Sequence, residues 1–537
     1  IRFGFNLVRF NLNHWQPETG NPRGNFDFNG NLTSGGQTPT PYNTFAAFLL
    51  GMPRTVSKSL QYIDMTGREW QFDWYLRDRW QVSRKLTLSL GVKYAYYPLM
   101  KRRGSGLERL DPETGLVYLG GRGDIQEDAG IQINTPGFAP TVGVAYRVND
   151  SMVIRSGYGL TWDPLPFSRP LRGFYPYTIT AEFTSPTENQ AVTTLDQGIP
   201  AFTGPDLSSG VVQLPNSVTT RSPWGNINRG YIQSWNFTIE NRLPSNIVTT
   251  VAYVGTQSTN MLAERNINAG APGTPNTQLP YALKYGRTIG LAMWDGWLSS
   301  NYHSLQVSLN RQFSNGLFLK GAYTFSKAIN MTDENGWASV SWNWGPSIER
   351  NRALAGYHRS HILQLAYVYE LPFGKGKPFF TDGLIGRIVG NWSVSGMFYA
   401  YTGNPFTLSG GGACNCPGGT QTPNQVKADV KKIGNFGPGQ YYYDPTAFAA
   451  GPANQFGNVG RNTLIGPGRI GTDMSLARIF PISERFKLEL RGDAFNLTNT
   501  PAFSNPIANV TDPNFMQVRS TVALSERQLR VGAVLRF

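Results

Sequence analysis

Hydrophobic and polar side chains alternate strictly near the end of the chain. In the segment 486–496 the even positions up to 494 are apolar or small, as at Leu488, whereas the odd positions up to 493 are charged, as at Glu489. The closing segment 526–537 repeats the alternation and ends on the aromatic residue Phe537. A period of two is that of a β-strand, so both segments are predicted to be strands with one apolar and one polar face.

Strand-like segments recur along the whole chain. The clearest one in the first half is 86–94, where Leu88 and Leu90 alternate with Thr87 and Ser89. The predicted strands, about 16 in number, are 1–12, 42–50, 55–64, 69–80, 86–94, 138–148, 152–162, 231–242, 247–255, 302–313, 317–327, 359–370, 391–402, 470–480, 486–496 and 526–537. Such strands suit a soluble sandwich, in which the charged face meets water, or a transmembrane barrel, in which the apolar face meets lipid.

The connections between the strands alternate between very short and very long. The short ones, rich in the residues that tight turns require, are 81–85, 149–151, 243–246, 314–316 and 481–485. The long ones are 98–137, 163–230, 256–301, 329–358, 403–469 and 497–525. Structureless connections beyond roughly 12 to 15 residues are uncommon in compact soluble domains. The alternation therefore predicts an all-β, antiparallel transmembrane β-barrel of the outer-membrane type, with short periplasmic turns and long extracellular loops.

The composition agrees with this fold and narrows the partners. Gly occurs 60 times and Pro 36 times, which favours β-structure with many turns. The longest apolar stretch, about 45–52, is far short of the roughly 20 residues that a spanning helix needs. The net charge of +14 suits nucleic acid in a cytoplasmic protein, or anionic lipid and anionic solutes in a surface protein. With the strand pattern, we expect outer-membrane lipid and lipopolysaccharide as partners and no nucleic acid.

Several runs of the sequence resemble the barrel of Oar-like TonB-dependent outer-membrane transporters. They are 80–94, 234–239, 253–255, 323–327, 369–377, 491–499 and 530–537. The resemblance implies a barrel of about 22 strands, an N-terminal plug, a box that contacts a TonB-type energy-coupling protein, and often a carboxypeptidase-regulatory-like domain before the plug. Because none of those N-terminal parts is seen, we expect residues 1–537 to be the C-terminal part of the barrel of an N-terminally truncated chain, with about six strands missing.

Candidate catalytic chemistry is scarce in this sequence. The histidines are His14, His303, His358 and His361. The last two, three residues apart, lead into a strand pattern that points them to opposite faces, which disfavours a metal pair. Cys414 and Cys416 lie in a Gly-rich loop and are interpreted as incidental cysteines or a local disulfide, with metal binding as the alternative. We therefore expect no enzymatic activity, no cofactor and no metal.

The best binding candidates lie in the loop 331–352. This segment combines three tryptophans with two arginines, a mixture suited to stacking on sugars or aromatic solutes and to pairing with anions. The candidates are Trp337, Trp342, Trp344, Arg350 and Arg352. The alternative is a self-packed loop whose aromatic side chains cover one another. The loop 163–230, rich in Pro and Thr, is a candidate lid.

Four functions fit these observations. The first is a gated TonB-dependent transporter of a scarce solute, and the second is a passive porin that prefers anions because Lys and Arg line its lumen. The third is a surface adhesion or secretion-associated protein anchored by the barrel, and the fourth is a soluble glycan-binding β-protein. The terminal Phe537 resembles the signal through which outer-membrane barrels are recognised by the barrel-assembly machinery.

Overall fold

The main element of the fold is a large sheet whose strands follow the order of the chain. The computed structural model describes all residues except 15–20, 36–38, 63, 135–136, 166–174, 186–188, 217, 219, 335–338, 411–413 and 415. The sheet strands are β1 (Arg2–His14), β2 (Met65–Gln81), β3 (Leu86–Tyr96), β4 (Phe138–Arg147), β5 (Met152–Trp162), β6 (Tyr231–Leu243), β7 (Ile247–Asn266), β8 (Ala292–Ser314), β9 (Leu317–Asn330), β10 (His361–Glu370), β11 (Trp392–Tyr401), β12 (Arg469–Pro481), β13 (Lys487–Phe495) and β14 (Gln528–Arg536). Each pairs antiparallel with the next.

Two short strands complete this sheet, which has 16 strands in all. Arg221–Pro223 runs parallel to β8, and Ala353–Leu354 pairs antiparallel with β9. Among the described residues β1 pairs with β2 alone and β14 with β13 alone, so the sheet has two open edges. The prediction of an all-β fold with an antiparallel barrel wall is confirmed.

One predicted strand is wrong, because 42–50 forms the helix Pro41–Leu49. Pro41 occupies the first helical turn, where its missing N–H is not needed. The Asn43 side chain accepts the backbone N–H of Thr40 at 3.0 Å and thereby caps the helix start. The neighbouring prediction, 55–64, is a strand at Thr55–Gln61, but it belongs to a separate small sheet rather than to the wall.

The two ends of the connection expected at 256–301 are strand instead of loop. The strands β7 and β8 continue past the rest of the wall, so only 267–291 connects them. Leu262, Met293 and Trp294 are buried in this extension. A strand covered on both faces has a nearly continuous apolar sequence, which removes the period of two. The physical reason for the wrong prediction is therefore that the loops cover this hairpin.

The wall has one apolar and one polar face throughout. Directly opposed residues of an antiparallel pair lie on the same face, and Leu490 lies opposite Ala533, whereas Asp493 lies opposite Arg530. The apolar face is exposed, with 43% of Val251 accessible in the middle of the sheet. An apolar face without protein cover, backed by a charged face, is the arrangement of a membrane barrel with lipid outside and a polar lumen inside.

The buried core lies in the long loops rather than in the wall. Short strands form two three-stranded sheets, Asn25–Asp27 with Thr55–Gln61 and Thr178–Thr184, and Glu108–Asp111 with Leu116–Leu119 and Val211–Gln213. Two-stranded pairs are Gln132–Ile133 with Asn226–Ile227, Pro405–Phe406 with Leu464–Ile465, and Asn424–Gln425 with Phe448–Ala449. These loops, called the loop layer below, enclose separate apolar clusters.

The helices are short. The described α-helices are Pro41–Leu49, Pro280–Tyr285 and Gly383–Val389, and the 3₁₀ helices are Asn31–Thr33, Asn276–Gln278, Gly345–Asn351 and Pro445–Ala447. In the described part of the chain, none of them is long and apolar enough to cross a membrane.

Candidate functional site

Asn351, which is fully buried, organises the segment 342–351 of the loop 331–360. The Asn351 side chain accepts the backbone N–H of Trp342 at 3.0 Å and donates to the Trp342 carbonyl at 2.7 Å. It also donates to the carbonyl of Ile348 at 2.8 Å. One amide side chain therefore connects position 351 with positions 342 and 348. These hydrogen bonds give a short segment with little regular structure a defined shape.

Trp342 and Arg350 form the contact between this loop and the loop 402–468. The Trp342 ring is fully buried, and the Arg350 guanidinium lies 4.7 Å from its centroid. Arg350 donates to the carbonyls of Gly457 at 2.5 Å and Val459 at 3.2 Å, and burial lowers its pKa. A side chain at position 419 would collide with the indole, since a Cβ there would lie 2.6 Å from Trp342, so Gly419 permits the packing.

A second arginine, Arg461, joins the same two loops. It is buried and donates to the Asp333 carboxylate at 2.7 Å, to the Asn351 carbonyl at 3.0 Å and to the Asn330 carbonyl at 2.7 Å. The Asn462 side chain donates to the same carboxylate at 3.0 Å. The sequence analysis missed this cluster because its members are scattered along the chain and show no local pattern.

The five predicted binding residues fall into different environments. Trp342 and Arg350 are engaged within the loop layer, whereas Arg352 is exposed and Trp344 is half-buried. Arg352 donates to the side chain of Asn301 at 2.6 Å. Trp337 lies outside the described residues. The ligand-binding role of all five stays a prediction; Arg352 is exposed and Trp344 and Arg350 are partly accessible, but Arg350 is already bonded to the loop 402–468.

The loops 97–137 and 163–230 are joined by Arg229. This buried residue donates to the carbonyls of Tyr97 at 2.6 Å, Asp163 at 2.9 Å and Asn134 at 3.0 Å. Burial lowers its pKa to about 10, although the Asp163 and Glu69 charges oppose that change. The candidate lid 163–230 is therefore tied to its neighbours at its end next to β6.

A buried ion pair and a small cavity lie beside these loops. Arg102 donates to both oxygens of Glu108, at 2.9 and 2.7 Å. Burial disfavours the charge of Arg102, but the Glu108 carboxylate more than compensates and raises its pKa. The cavity, lined by Glu108, Arg221, Trp294 and apolar side chains, has a volume of about 30 Å³. That is room only for water-sized molecules, so this cavity is too small for a solute.

The polar face of the wall carries paired charges. Lys93 lies 2.7 Å from Asp73, which also accepts a hydrogen bond from the Tyr97 hydroxyl at 2.7 Å. Further pairs on this face are Arg155–Glu240, Arg491–Asp493 and Arg536–Glu489. The polar face thus offers both signs of charge to whatever occupies the lumen.

The cysteines of the loop 402–468, Cys414 and Cys416, are paired with each other.

This architecture identifies the class of protein. The outer membrane beta barrel domain family matches residues 1–530, and the chain belongs to that family. The protein accordingly resides in the outer membrane, with its apolar face toward lipid and its polar face toward the lumen.

Similar solved structures are outer-membrane receptors. The siderophore receptor PiuA from Acinetobacter baumannii is 10% identical with a TM-score of 0.40, and the match covers 90% of this chain and 44% of that one. The pyoverdine receptor FpvA from Pseudomonas aeruginosa PAO1 is 11% identical with a TM-score of 0.42, and the match covers 88% of this chain and 43% of that one. The ferric-catecholate import receptor Fiu from E. coli K12 is 12% identical with a TM-score of 0.39, and the match covers 89% of this chain and 45% of that one. The chain thus matches less than half the length of each. A comparison with curated protein sequences gives no match.

Proposed function

We propose that this chain is the barrel of an Oar-like TonB-dependent transporter that captures a scarce solute with its loop layer. The observation that carries the proposal is the ordered packing of the loops against one another. Arg229, Arg350 and Arg461 each donate to backbone carbonyls of a different loop, and these buried or partly buried guanidinium groups hold the loops in one arrangement. A defined capture surface needs such preorganisation, whereas a passive pore needs an open mouth.

The open edges of the sheet indicate that the described strands alone do not close the wall. Any outer-membrane barrel, transporter or porin, must close its wall to remove unpaired strand edges, and β1 and β14 do not pair with each other among the described residues. We propose that further strands of the same protein complete a larger barrel, and that a plug fills the polar lumen. A TonB-type protein would then deform the plug to release the solute.

Trp344 and Arg352 are proposed to contact the solute, together with Trp337. The accessible surfaces of Trp344 and Arg352 allow an indole to stack on a ring and a guanidinium to pair with an anionic group. Trp342 and Arg350 are proposed to support that surface, because the Arg350 guanidinium already lies against the buried Trp342 ring and donates to the Gly457 carbonyl.

The test uses the complete protein in its native host. A deletion strain is grown on single iron, carbohydrate and peptide sources, with and without an uncoupler of the proton-motive force. We expect growth on one source to require both the protein and the proton-motive force. The purified protein should give no steady chloride conductance in planar bilayers. A stable, anion-preferring conductance together with energy-independent growth would instead establish the porin.

A further inference from the structure

The connection between β10 and β11 differs from every other described turn at the same end of the wall. The others are the short segments 82–85, 148–151, 244–246, 315–316 and 482–486. This one runs over 371–391 and contains the helix Gly383–Val389. A turn needs only a few residues to join two adjacent antiparallel strands, so the additional residues serve another purpose.

Large apolar side chains of this connection are exposed. They are Phe379, Phe380, Leu384, Ile385 and Ile388, with accessible fractions from 54% for Phe380 to 74% for Leu384. The other side of the helix is closely packed, since a Cβ at Gly386 would lie 2.4 Å from the carbonyl oxygen of Phe380. The connection is therefore folded back on itself while its apolar side faces outward. A contiguous exposed apolar patch marks an interaction surface.

Contacts with the wall place the connection beside the lipid-facing surface. The Trp392 indole donates to the carbonyl of Ile388 at 3.1 Å. The Arg478 guanidinium donates to the carbonyl of Arg387 and, at 3.3 Å, to that of Gly390. Arg478 pairs with Trp392 in the register of β11 and β12 and with Leu490 on the other side, so it belongs to the apolar face. The helix thus continues the lipid-facing surface at the turn end of the wall.

Basic groups border the apolar side. Lys375 and Arg387 are exposed, and Lys377 pairs with Glu370 at 2.6 Å. The acidic residue next to the helix, Asp382, accepts a hydrogen bond from the Thr381 hydroxyl at 3.0 Å. Apolar side chains flanked by Lys and Arg are the pattern of a segment that lies in a membrane interface, with its cations on lipid phosphates.

We propose that the connection 371–391 is an interfacial anchor in the periplasmic leaflet of the outer membrane. Phe379, Phe380, Leu384, Ile385 and Ile388 enter the acyl boundary, and Lys375 and Arg387 bind phospholipid phosphates. Phospholipid is the occupant because the exposed side chains are continuous with the lipid-facing wall and their basic rim complements anionic headgroups. This anchor would fix the depth of the wall beneath β10 to β12.

The experiment measures the depth of nitroxide labels in the complete protein, reconstituted in vesicles of phosphatidylethanolamine and phosphatidylglycerol. Labels are attached at Leu384→Cys and, in a second variant, at Phe380→Cys, with both native cysteines replaced by serine. The control is Glu484→Cys in the short turn 482–486, an exposed polar position at the same end of the wall. We expect oxygen to relax the two anchor labels several-fold more than a water-soluble nickel complex does, and the reverse at the control.

The headgroup contact is tested with Lys375→Gln and Arg387→Gln together. These changes should move the labels toward water in vesicles that contain phosphatidylglycerol and leave them unchanged in phosphatidylcholine. Equal nickel accessibility at the anchor and control positions would overturn the proposal. Labels shielded from both reagents would also overturn it, because they would indicate a protein on this surface. Each variant is first checked for the faster gel migration of the unheated, folded barrel.

Discussion

Asp333 and Arg461, 128 residues apart in the chain, form an ion pair of 2.7 Å that joins two loops of the outer surface. The Asp333 carboxylate also accepts hydrogen bonds from the Asn330 side chain at 2.9 Å and from the Gly356 N–H at 2.7 Å. Arg461 in turn donates to the carbonyl of Asn330. The pair thus connects the end of β9 with both loops, so its loss should loosen the loop layer without unfolding the wall.

Replacing Asp333 with Asn should destabilise this part of the loop layer by roughly 1 to 3 kcal/mol, because a buried arginine loses its charged acceptor. Trypsin should then cleave the loop 402–468 several-fold faster in the folded protein. Asp429→Asn, an exposed carboxylate in the same loop, serves as the matched control and should leave the cleavage rate unchanged. Equal rates for the two variants would show that the ion pair does not hold the loops.

Acid should loosen the same loops. Burial alone would raise the pKa of Asp333, but hydrogen bonds from Asn330, Gly356 and Asn462 and the charge of Arg461 together lower it. Because the folded pKa is the lower one, this stabilisation is present above the unfolded value near 3.9 and is lost as the pH falls through the folded pKa. Amide exchange around position 461, corrected for its intrinsic rate, should therefore rise below about pH 4. In Asp333→Asn that rise should be absent.

The wall could be predicted from the sequence and the loop layer could not, for a physical reason. Outside the buried extension of β7 and β8, the two faces of the wall meet lipid and lumen, so a period of two appears along the strands, as at Leu488 and Glu489. Contacts in the loop layer join residues such as Asp333 and Arg461, which leave no periodic signal. The sequence of the helix Pro41–Leu49 predicts a strand because a short apolar segment fits both periods.

Two neighbouring arginines should behave differently when replaced with alanine. Arg350→Ala removes hydrogen bonds to Gly457 and Val459 and the contact with Trp342, so the loops should lose roughly 1 to 3 kcal/mol of stability. Arg352→Ala should change stability by less than about 0.5 kcal/mol, since the side chain is exposed. Hydrogen exchange of the segment 450–465, followed on peptic peptides, measures both. Similar exchange in the two variants would contradict the supporting role of Arg350.

An arginine should destabilise the wall much more at a lipid-facing position than at the adjacent position, which faces the lumen. Val251 lies on the apolar face of β7, roughly 10 Å above the turn and hence near the middle of the lipid. Val251→Arg should cost about 2 to 4 kcal/mol of unfolding free energy. Thr250→Arg should cost much less, because Thr250 lies on the polar face opposite Glu240. Denaturant titration in lipid vesicles measures both losses, and a loss at Thr250→Arg equal to or larger than that at Val251→Arg would contradict this assignment of the faces.

The terminal residue Phe537 is expected to act during assembly more than in the finished barrel. It is 83% exposed, and its ring lies 6.4 Å from that of Phe486. The strand before it, β14, has an open edge among the described residues. An open edge can add to a strand of the assembly machinery by β-augmentation, and a terminal aromatic residue is suited to mark that strand.

Deleting Phe537 should therefore lower the amount of protein inserted into the outer membrane far more than it lowers the stability of barrels already folded in detergent. If Phe537 only contributed burial against Phe486, insertion and stability would fall together, because both would depend on the same contact. Phe537→Tyr keeps an aromatic end and should insert normally. Quantifying membrane yield and unfolding for both variants separates the two roles, and an unchanged yield for the deletion would remove the assembly role.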